Sequence, residues 1–310
     1  MADPKWSERD IPDQTGRVVL ITGANSGIGW DAARALAEHG ARVVLACRTR
    51  AKAEEARDRI LERAPGATID LVDLDLSSLA SVREAAAKVN RDYERLDVVV
   101  NNAGIMAVPN QRTADGFEMQ FGTNHLGHFA FTGLVLPRIR SVDGSRIVNV
   151  SSGAHKFGKI DFDDLNWEQQ YSPWRAYGQS KLANLLFTYE LQRRLVAAGV
   201  PTITVACHPG GSRTNLGTTP AGLKGRLMEM VRPAINLFMQ PADMGALPTE
   251  RAAVDPGVRG GEYYGPDGLA EQRGHPVLVD SNDRSKDLAV AARLWSVSEE
   301  LTGVHYEFTS

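Results

Sequence analysis

The segment Val18–Trp30, VVLITGANSGIGW, gives the clearest indication of the architecture of this chain. Val18–Ile21 is a run of β-branched residues and leucine, which predicts a buried strand. Asp31–His39 is rich in alanine and leucine and predicts the helix that follows. A glycine-rich turn joins the two, and this order of strand, turn and helix is typical of a nucleotide-binding unit.

The glycines of this turn are Gly23, Gly27 and Gly29. Gly23 permits a sharp turn, while Gly27 and Gly29 have no Cβ and let the backbone approach a phosphate group. The N-terminus of the following helix then directs unpaired N–H groups at the anion. The spacing differs from the commoner Gly-x-Gly-x-x-Gly, so an ordinary tight turn is the alternative. The flanking strand and helix favour the nucleotide site.

The composition indicates a globular protein with a sizeable core. Of its 310 residues 43% are hydrophobic and 24% are charged, and the net charge of −3 argues against a general nucleic-acid binder. Cys47 and Cys207 lack a metal-type spacing, so we expect reduced core thiols in a cytoplasmic protein. The first 16 residues contain no apolar segment, so we expect neither a signal peptide nor a membrane anchor. Met119–Pro137 has no charged residue but contains histidines and glycines, which favour a buried helix over a membrane span.

Strand and helix patterns alternate as far as Cys207. This alternation predicts one α/β domain with a doubly wound, Rossmann-type parallel sheet. Within the single domain 1–310 we expect a core at about 16–265, a small substrate lid at about 210–240 and a C-terminal helical tail at 283–303. The ends of the fourth, fifth and sixth strands should line a crevice at the carboxyl edge of the sheet.

Four polar side chains are expected at this edge. Ser152 follows the fifth strand, Tyr177 and Lys181 share one face of the predicted helix Trp174–Ala198, and Asn124 lies on the preceding long helix. No acidic residue or histidine is placed to activate a serine, which argues against a hydrolase. Carbonyl reduction needs a proton donor, and an ammonium beside a tyrosine lowers its pKa from about 10. Tyr-x-x-x-Lys also occurs by chance, but the serine pair and the glycine turn make chance a weaker explanation.

These motifs together resemble the short-chain dehydrogenase/reductase family from Gly16 to about Tyr264. The matching motifs are Thr22-Gly23-x-x-x-Gly27-x-Gly29, Asn101-Asn102-Ala103-Gly104, the Asn124 helix, Ser152, Tyr177-x-x-x-Lys181 and Pro209-Gly210-x-x-x-Thr214. Within the family the chain is most similar to the branch of retinol dehydrogenases and light-dependent protochlorophyllide reductases. The cues for that branch are Ala46-Cys47-Arg48, Val150-Ser151-Ser152-x-Ala154-His155 and the long gap before Tyr177.

The resemblance implies catalytic roles for four residues. Tyr177 is the acid/base, and Lys181 binds the nicotinamide ribose and lowers the tyrosine pKa. Ser152 orients the substrate carbonyl, with Ser151 the less favoured of the pair. Asn124 supports a water-linked proton relay. The resemblance also implies a nicotinamide cofactor, which is held by residues along the whole edge of the sheet. The implied cofactor-binding residues are Gly23, Asn25, Ser26, Gly27, Ile28, Gly29, Arg48, Asp75, Leu76, Asn102, Ala103, Gly104, Tyr177, Lys181, Pro209, Gly210 and Thr214.

The adenosine end of the site predicts the form of the cofactor. Asp75 and Leu76 match the adenine-contacting position, with Asp73 as the alternative acid. No acid ends the second strand, where one would favour NAD. Arg48 stands there instead, and its guanidinium matches a 2′-phosphate. We therefore expect NADP(H) as the cofactor. The alternative is that Arg48 binds no phosphate and is an ordinary solvent-exposed residue at the start of a helix.

The substrate is expected to be a lipophilic carbonyl compound or alcohol. Leu223–Met239 is rich in leucine and methionine and resembles the substrate lid of the family, although a core helix has the same pattern. The segment His155–Trp174 is rich in aromatic residues and is either a substrate entrance or a packed surface loop. The expected absence of a membrane anchor argues against a retinoid. Two other functions stay open: reduction of a carbon–carbon double bond, and non-catalytic NADP(H) sensing.

Three histidines and the oligomeric state complete the expectations. His125 and His128 lie three residues apart, but no third ligand with suitable spacing follows, so we expect core histidines and no metal. His208 precedes Pro209-Gly210 and is expected to be structural. The oligomeric state stays open, although a homo-oligomer would fit the apolar residues on several faces of the two long helices.

Overall fold

A mixed sheet of eight strands forms the centre of the computed structural model, which describes residues 5–211 and 240–308. The strands are β1 (Val18–Thr22), β2 (Arg42–Cys47), β3 (Ile69–Asp73), β4 (Val98–Asn101), β5 (Arg146–Val150), β6 (Ile203–Cys207), β7 (Tyr263–Pro266) and β8 (Pro276–Leu278). Their order in the sheet is β3-β2-β1-β4-β5-β6-β7-β8. The first seven are parallel and β8 is antiparallel to β7. The predicted doubly wound, Rossmann-type sheet is confirmed.

Helices cover both faces of the sheet. They are α1 (Gly27–Glu38), α2 (Arg50–Arg63), α3 (Leu79–Asp92), α4, α5 (Pro173–Ala197), α6 (Ala242–Val254) and α7 (Leu288–Thr302). Helix α4 consists of three consecutive segments, Met119–Phe121, the π-helical turn Gly122–Leu126 and Gly127–Val135. Among the described residues no helix is both long and apolar enough to cross a bilayer.

Side chains of each strand alternate between the two faces of the sheet and contribute to a hydrophobic core on each face. Val19 and Ile21 of β1 pack with α1, α2 and α6 on one face of the sheet. Leu20 points to the opposite face, where the core includes residues of α3, α4, α5 and α7. Because both faces are covered, the strands are apolar throughout, as is expected for a parallel sheet. Cys47 and Cys207 are buried free thiols in the first of these cores.

The connections reverse direction between β1 and β4, which lie side by side at the middle of the sheet. The chain winds outward from β1 to β3 on one side and from β4 to β8 on the other. The helices that follow β1 and β4 therefore lie on opposite faces of the sheet, and a crevice forms between them at the carboxyl edge, where open α/β sheets bind ligands. Both the glycine turn and the Asn102-Ala103-Gly104 segment lie at this crevice.

The structure differs from the sequence expectations at two places. The helix expected over Met119–Pro137 is interrupted by the π-helical turn. The last strand, β8, was not indicated because it has only three residues, begins with proline and lies at the sheet edge. Helix α3 is capped by Ser78, whose Oγ accepts a hydrogen bond from Ser81 N at 3.3 Å. The preceding serine, Ser77, donates from Oγ to Asp75 Oδ1.

Candidate active site

The glycine turn is held by direct contact between the loops that follow β1 and β4. Gly23 has φ +66°, and a Cβ on it would lie 2.9 Å from Cα of Ala103. A Cβ on Gly29 would collide with Nδ2 of Asn102 and lie 2.7 Å from the Gly23 carbonyl oxygen. Asn102 Nδ2 donates to the Thr22 carbonyl at 2.8 Å. The turn thus needs glycine at 23 for its conformation and at 29 for space.

The start of α1 offers a site that fits a pyrophosphate. The helix begins at Gly27, which has φ +57°, and the Ser26 side chain does not cap it. The first N–H groups are therefore directed toward the crevice with no side-chain acceptor of their own. Gly23 N donates to the Ala46 carbonyl oxygen at 2.8 Å, and the Cys47 thiol lies beside the backbone of Ala24 and Asn25, so the end of β2 fixes this turn. Ile28 is buried behind it.

Arg48 lies directly after β2, is exposed and has no hydrogen bond or carboxylate partner within the described parts of the chain. Arg50, two residues on, is engaged: Nε lies 3.0 Å from Glu54 Oε1 and Nη1 lies 3.8 Å from Asp73 Oδ1. A further guanidinium that the sequence did not single out reaches the turn from α2. Arg59 Nη2 donates to the Asn25 carbonyl at 3.3 Å.

The loop after β3 holds the two residues expected near the adenine. Asp75 Oδ1 accepts hydrogen bonds from Ser77 N at 2.9 Å and Ser77 Oγ at 2.6 Å. Leu76 is buried in the core, with its backbone packed against Gly127 of α4. Asp73, the alternative acid, is exposed and faces Arg50, so the structure places Asp75 and not Asp73 in the tighter loop.

Tyr177 and Ser152 lie together at the end of β5. Tyr177 is buried on the second turn of α5, and its hydroxyl lies on the side of the Ser152 side chain. Burial raises the pKa of Tyr177, and the Ser152 hydroxyl opposes that rise in pKa. Ser151 points away and donates from Oγ to the Lys181 carbonyl at 2.8 Å. Of the two serines, Ser152 is the one that acts on the pKa of the phenol.

Lys181 is buried one turn after Tyr177. Its ammonium donates to the Val150 carbonyl at 3.1 Å and lies 5.8 Å from the centroid of the Tyr177 ring. Burial lowers the pKa of Lys181 to about 8. A Cβ on Gly104 would lie 3.4 Å from both Lys181 Nζ and Asn124 Oδ1, so the wall after β4 meets both side chains.

Asn124 lies in the π-helical turn of α4, an irregularity that often marks functional sites. Its Oδ1 accepts from Ile105 N at 2.9 Å, and its Nδ2 donates to the Ile105 carbonyl at 2.9 Å and to Ser180 Oγ at 2.9 Å. Ser180 Oγ in turn donates to the Tyr177 carbonyl at 2.8 Å. Asn124 is therefore bonded on one side to the loop after β4 and on the other to the helix of Tyr177.

The segment after β6 completes the described edge. Gly210 has φ +63° and packs so closely on Gln272 that a Cβ would lie 2.5 Å from the Gln272 carbonyl oxygen. Gln240 Nε2 donates to the Pro209 carbonyl at 2.8 Å. Thr214, the predicted lid residues Leu223–Met239 and most of 210–240 lie outside the described residues.

The aromatic segment before α5 is mostly packed. Tyr171 donates to the Val108 carbonyl at 2.8 Å, and Trp167 is buried. Two aromatic side chains of the segment are not packed in this way, since Phe157 is 52% exposed and Trp174 is 55% exposed. Trp174 meets the Tyr177 ring edge-on with centroids 6.3 Å apart, and Phe157 contacts Gly178, one turn after Trp174. These two side chains give the tyrosine an exposed apolar rim.

Sequence reasoning missed the residues that fix this segment to α4. Gln120 Nε2 donates to Tyr171 Oη at 3.0 Å and to the Pro173 carbonyl at 2.9 Å, and its Oε1 accepts from Ala107 N at 2.7 Å. Glu118 caps the start of α4 through Gln120 N and Phe121 N. An acid directly before an apolar helix is the one signal that the sequence offered.

The histidines do not form a metal site. His125 Nε2 lies 2.9 Å from Ser298 Oγ of α7, whereas His128 contacts Thr22 and Asn124. His208 Nε2 lies 3.2 Å from Glu271 Oε2. Among the described residues no group of three His, Cys, Asp or Glu side chains is placed to hold a metal ion.

Fold and site together define a class. The protein is an α/β domain with a dinucleotide-type glycine turn at the switch point of its sheet. Serine, tyrosine, lysine and asparagine side chains lie together at the neighbouring strand ends.

Comparisons with known proteins agree with this class. The family model of short chain dehydrogenases matches residues 17–220. Human retinol dehydrogenase 13 is 43% identical over 303 residues, 96% of this chain and 87% of that protein. Mouse retinol dehydrogenase 14 is 44% identical over 306 residues, 93% of this chain and 86% of that protein. A crystal structure of an uncharacterised protein from Mycobacterium paratuberculosis has a TM-score of 0.81 and 45% identity, and covers 98% of this chain and 99% of that one.

The chain therefore belongs to the short-chain dehydrogenase family and, within it, to the retinol dehydrogenase branch. It is an oxidoreductase of the kind that acts on alcohol and carbonyl groups and uses a nicotinamide cofactor. The predicted family and fold are confirmed.

Proposed function

We propose that this protein is an NADP(H)-dependent oxidoreductase that transfers a hydride between the nicotinamide and a carbonyl or hydroxyl group of a lipophilic small molecule. The observation that supports it most is the buried tyrosine Tyr177, which lies beside Ser152 and one helical turn from Lys181, whose ammonium is 5.8 Å from the centroid of the tyrosine ring. The glycine turn and the uncapped start of α1 fit a dinucleotide pyrophosphate.

The bound nicotinamide supplies or accepts the hydride. In the reducing direction Tyr177 donates its hydroxyl proton to the carbonyl oxygen as the carbon gains the hydride, so an alcohol forms. Ser152 donates a hydrogen bond to the same oxygen and orients it. Because burial raises the pKa of Tyr177, the phenol is held protonated, which suits the reducing direction.

Lys181 and Asn124 support the tyrosine in this proposal. A cation beside a phenol favours the phenolate, so Lys181 would lower the tyrosine pKa once cofactor and substrate are bound. Asn124 would fix the surroundings of Lys181, since both side chains meet the backbone at Gly104. The remaining cofactor contacts proposed are those named from the sequence, from Gly23 to Thr214.

The substrate proposal is supported by the exposed apolar rim of Phe157 and Trp174 beside Tyr177. The curated relatives are named retinol dehydrogenases, so retinal and retinol belong in the substrate panel beside other bulky aldehydes, ketones and alcohols. A cytoplasmic location and a homo-oligomer remain part of the proposal.

The test is Tyr177→Phe, which removes one hydroxyl and keeps the ring. Turnover of NADPH with the best carbonyl substrate should fall at least about 100-fold, the usual effect of losing a general acid. The NADPH dissociation constant should change little. Tyr189→Phe is the matched control, because Tyr189 lies on the same helix and its hydroxyl bonds to Ser281 instead. Near-normal turnover in folded Tyr177→Phe would rule out the proposed role.

A further inference from the structure

A buried histidine connects the two halves of the site. His128 lies on α4, and its Nδ1 is 3.0 Å from the main-chain carbonyl oxygen of Asn124. Its Nε2 is 2.9 Å from Oγ1 of Thr22, the last residue of β1. Thr22 Oγ1 also accepts hydrogen bonds from Asn102 N at 3.0 Å and Ala103 N at 2.9 Å. One imidazole thus joins the glycine turn and the wall after β4 to the π-helical turn.

The partners fix the tautomer of this imidazole. Burial lowers the pKa of His128 to about 4, so the ring is neutral and has one N–H. The Asn124 carbonyl can only accept, so the hydrogen is on Nδ1. Nε2 is then an acceptor, and the Thr22 hydroxyl donates to it at 2.9 Å, which is a shorter contact than the 3.4 Å from the same hydroxyl to the Val100 carbonyl. Because that hydroxyl receives two backbone N–H groups as well, every polar atom in the connection has a partner.

The connection continues to the reacting end. Asn124 Nδ2 donates to Ser180 Oγ, and Ser180 Oγ donates to the Tyr177 carbonyl. A chain of hydrogen bonds therefore leads from Ala103 N, beside the glycine turn, to the helical turn that presents the phenol. His128 is the middle member of this chain.

We infer that His128 is a positioning residue that couples the cofactor wall to the Asn124 turn. Its Nε2 fixes the Thr22 hydroxyl that holds Asn102 and Ala103, and its Nδ1–H fixes the Asn124 carbonyl in the π-helical turn. His128 touches no reacting atom in this arrangement. The inference rests on the proposed function, since it assigns Asn124 and Tyr177 to the reaction.

His125 is a matched control provided by the chain itself. It lies on the same helix three residues earlier, is equally buried and neutral, and bonds to Ser298 of α7. If both histidines only stabilise the core, substitutions of His125 and of His128 should have the same effects on NADPH binding and turnover. If His128 is a positioning residue, only its substitutions should change these two quantities.

Two substitutions separate the two ends of the connection. In His128→Asn the side-chain amide takes the place of Nδ1, so donation to Asn124 is kept and the contact with Thr22 is lost. In His128→Gln the amide takes the place of Nε2, so the contact with Thr22 is kept and donation to Asn124 is lost. Turnover number, NADPH dissociation constant and melting temperature are measured for both, with His125→Asn and His125→Gln beside them.

We expect the two variants to fail in opposite ways. His128→Asn should weaken NADPH binding about tenfold (about 1.4 kcal/mol) with a smaller effect on kcat. His128→Gln should lower kcat about tenfold with a smaller effect on NADPH binding. The His125 variants should stay within about twofold of wild type in both quantities, a difference of under about 0.5 kcal/mol. If both His128 variants lose affinity and kcat by the same factor, or match the His125 variants, the inference is wrong.

Thr22→Val and Thr22→Ser test the same connection without touching the helix. Thr22→Ser keeps the hydroxyl and should bind NADPH like wild type, whereas Thr22→Val should weaken binding at least as much as His128→Asn. This pair decides the inference if the His128 variants do not fold. If wild type binds NADPH but turns over no substrate, the proposed function fails, and the affinities of these variants still judge the Thr22–His128 connection.

Discussion

The cofactor preference tests the adenosine end of the site, and Arg48 is the residue to change. Its guanidinium lies directly after β2 and has no partner in the described parts of the chain, so it is available to a 2′-phosphate without breaking another contact. Charged hydrogen bonds contribute about 1.5–3 kcal/mol each. One such bond, made to NADPH and absent with NADH, corresponds to at least about tenfold in affinity.

Arg48→Ala should therefore weaken NADPH binding at least about tenfold and leave NADH binding nearly unchanged. Arg50→Ala is the control, since it removes the same group two residues away. Arg50 already pairs with Glu54 and Asp73, so its loss should alter the preference little. Arg48→Lys should recover only part of the loss, because an ammonium lacks the planar fork of donors.

The assay is equilibrium titration of each protein with NADPH and NADH, followed by the fluorescence of the reduced nicotinamide. Raising the salt concentration should narrow the wild-type preference, because the exposed ion pair is screened. Equal affinities for the two cofactors in wild type would refute the reasoning. So would an unaltered preference in Arg48→Ala, or an equal loss of NADH binding.

Three further predictions concern the pocket, the glycine turn and a buried acid. In a homologous series of aliphatic aldehydes kcat/KM should rise with chain length by up to about 0.8 kcal/mol per methylene, and a flat or falling series would contradict a lipophilic pocket. Gly29→Ala should cost about 1–3 kcal/mol and abolish cofactor binding, because its Cβ meets Asn102 and Gly23; Gly66→Ala, where a Cβ meets nothing within 4 Å, is the control in both measurements. The carboxylate oxygens of Glu250 have no hydrogen-bond partner among the described residues, and burial raises the pKa of this side chain well above its usual value. The free energy of unfolding of wild type should therefore fall as pH rises from the unfolded-state pKa toward the folded-state pKa of Glu250. The melting temperature of Glu250→Gln should then exceed that of wild type by more at about pH 8 than at about pH 5, by roughly 1–2 °C for each 1 kcal/mol. An equal difference at both pH values would show that Glu250 does not titrate on folding.

The sequence predicted the fold because its signals were local and repeated. Each strand is a short apolar run, and each βα unit restates the same pattern, so the parallel sheet followed from alternation alone. The elements that were misjudged lack such a signal. The π-helical turn has the composition of a helix, and β8 is an edge strand of three residues.

Within the candidate site, the sequence identified side chains better than it identified their connections. The i, i+4 spacing placed Tyr177 and Lys181 on one helical face, and the strand ends placed Ser152 beside them, because secondary structure alone determines these relations. His125 and His128 could not be told apart in the same way, since both are histidines on the apolar helix α4. What distinguishes them is which distant strand or helix each one meets, β1 for His128 and α7 for His125. Such contacts depend on how the helices pack on the sheet, and residues that position a catalytic group through tertiary contacts are therefore the ones that a single sequence is least able to reveal.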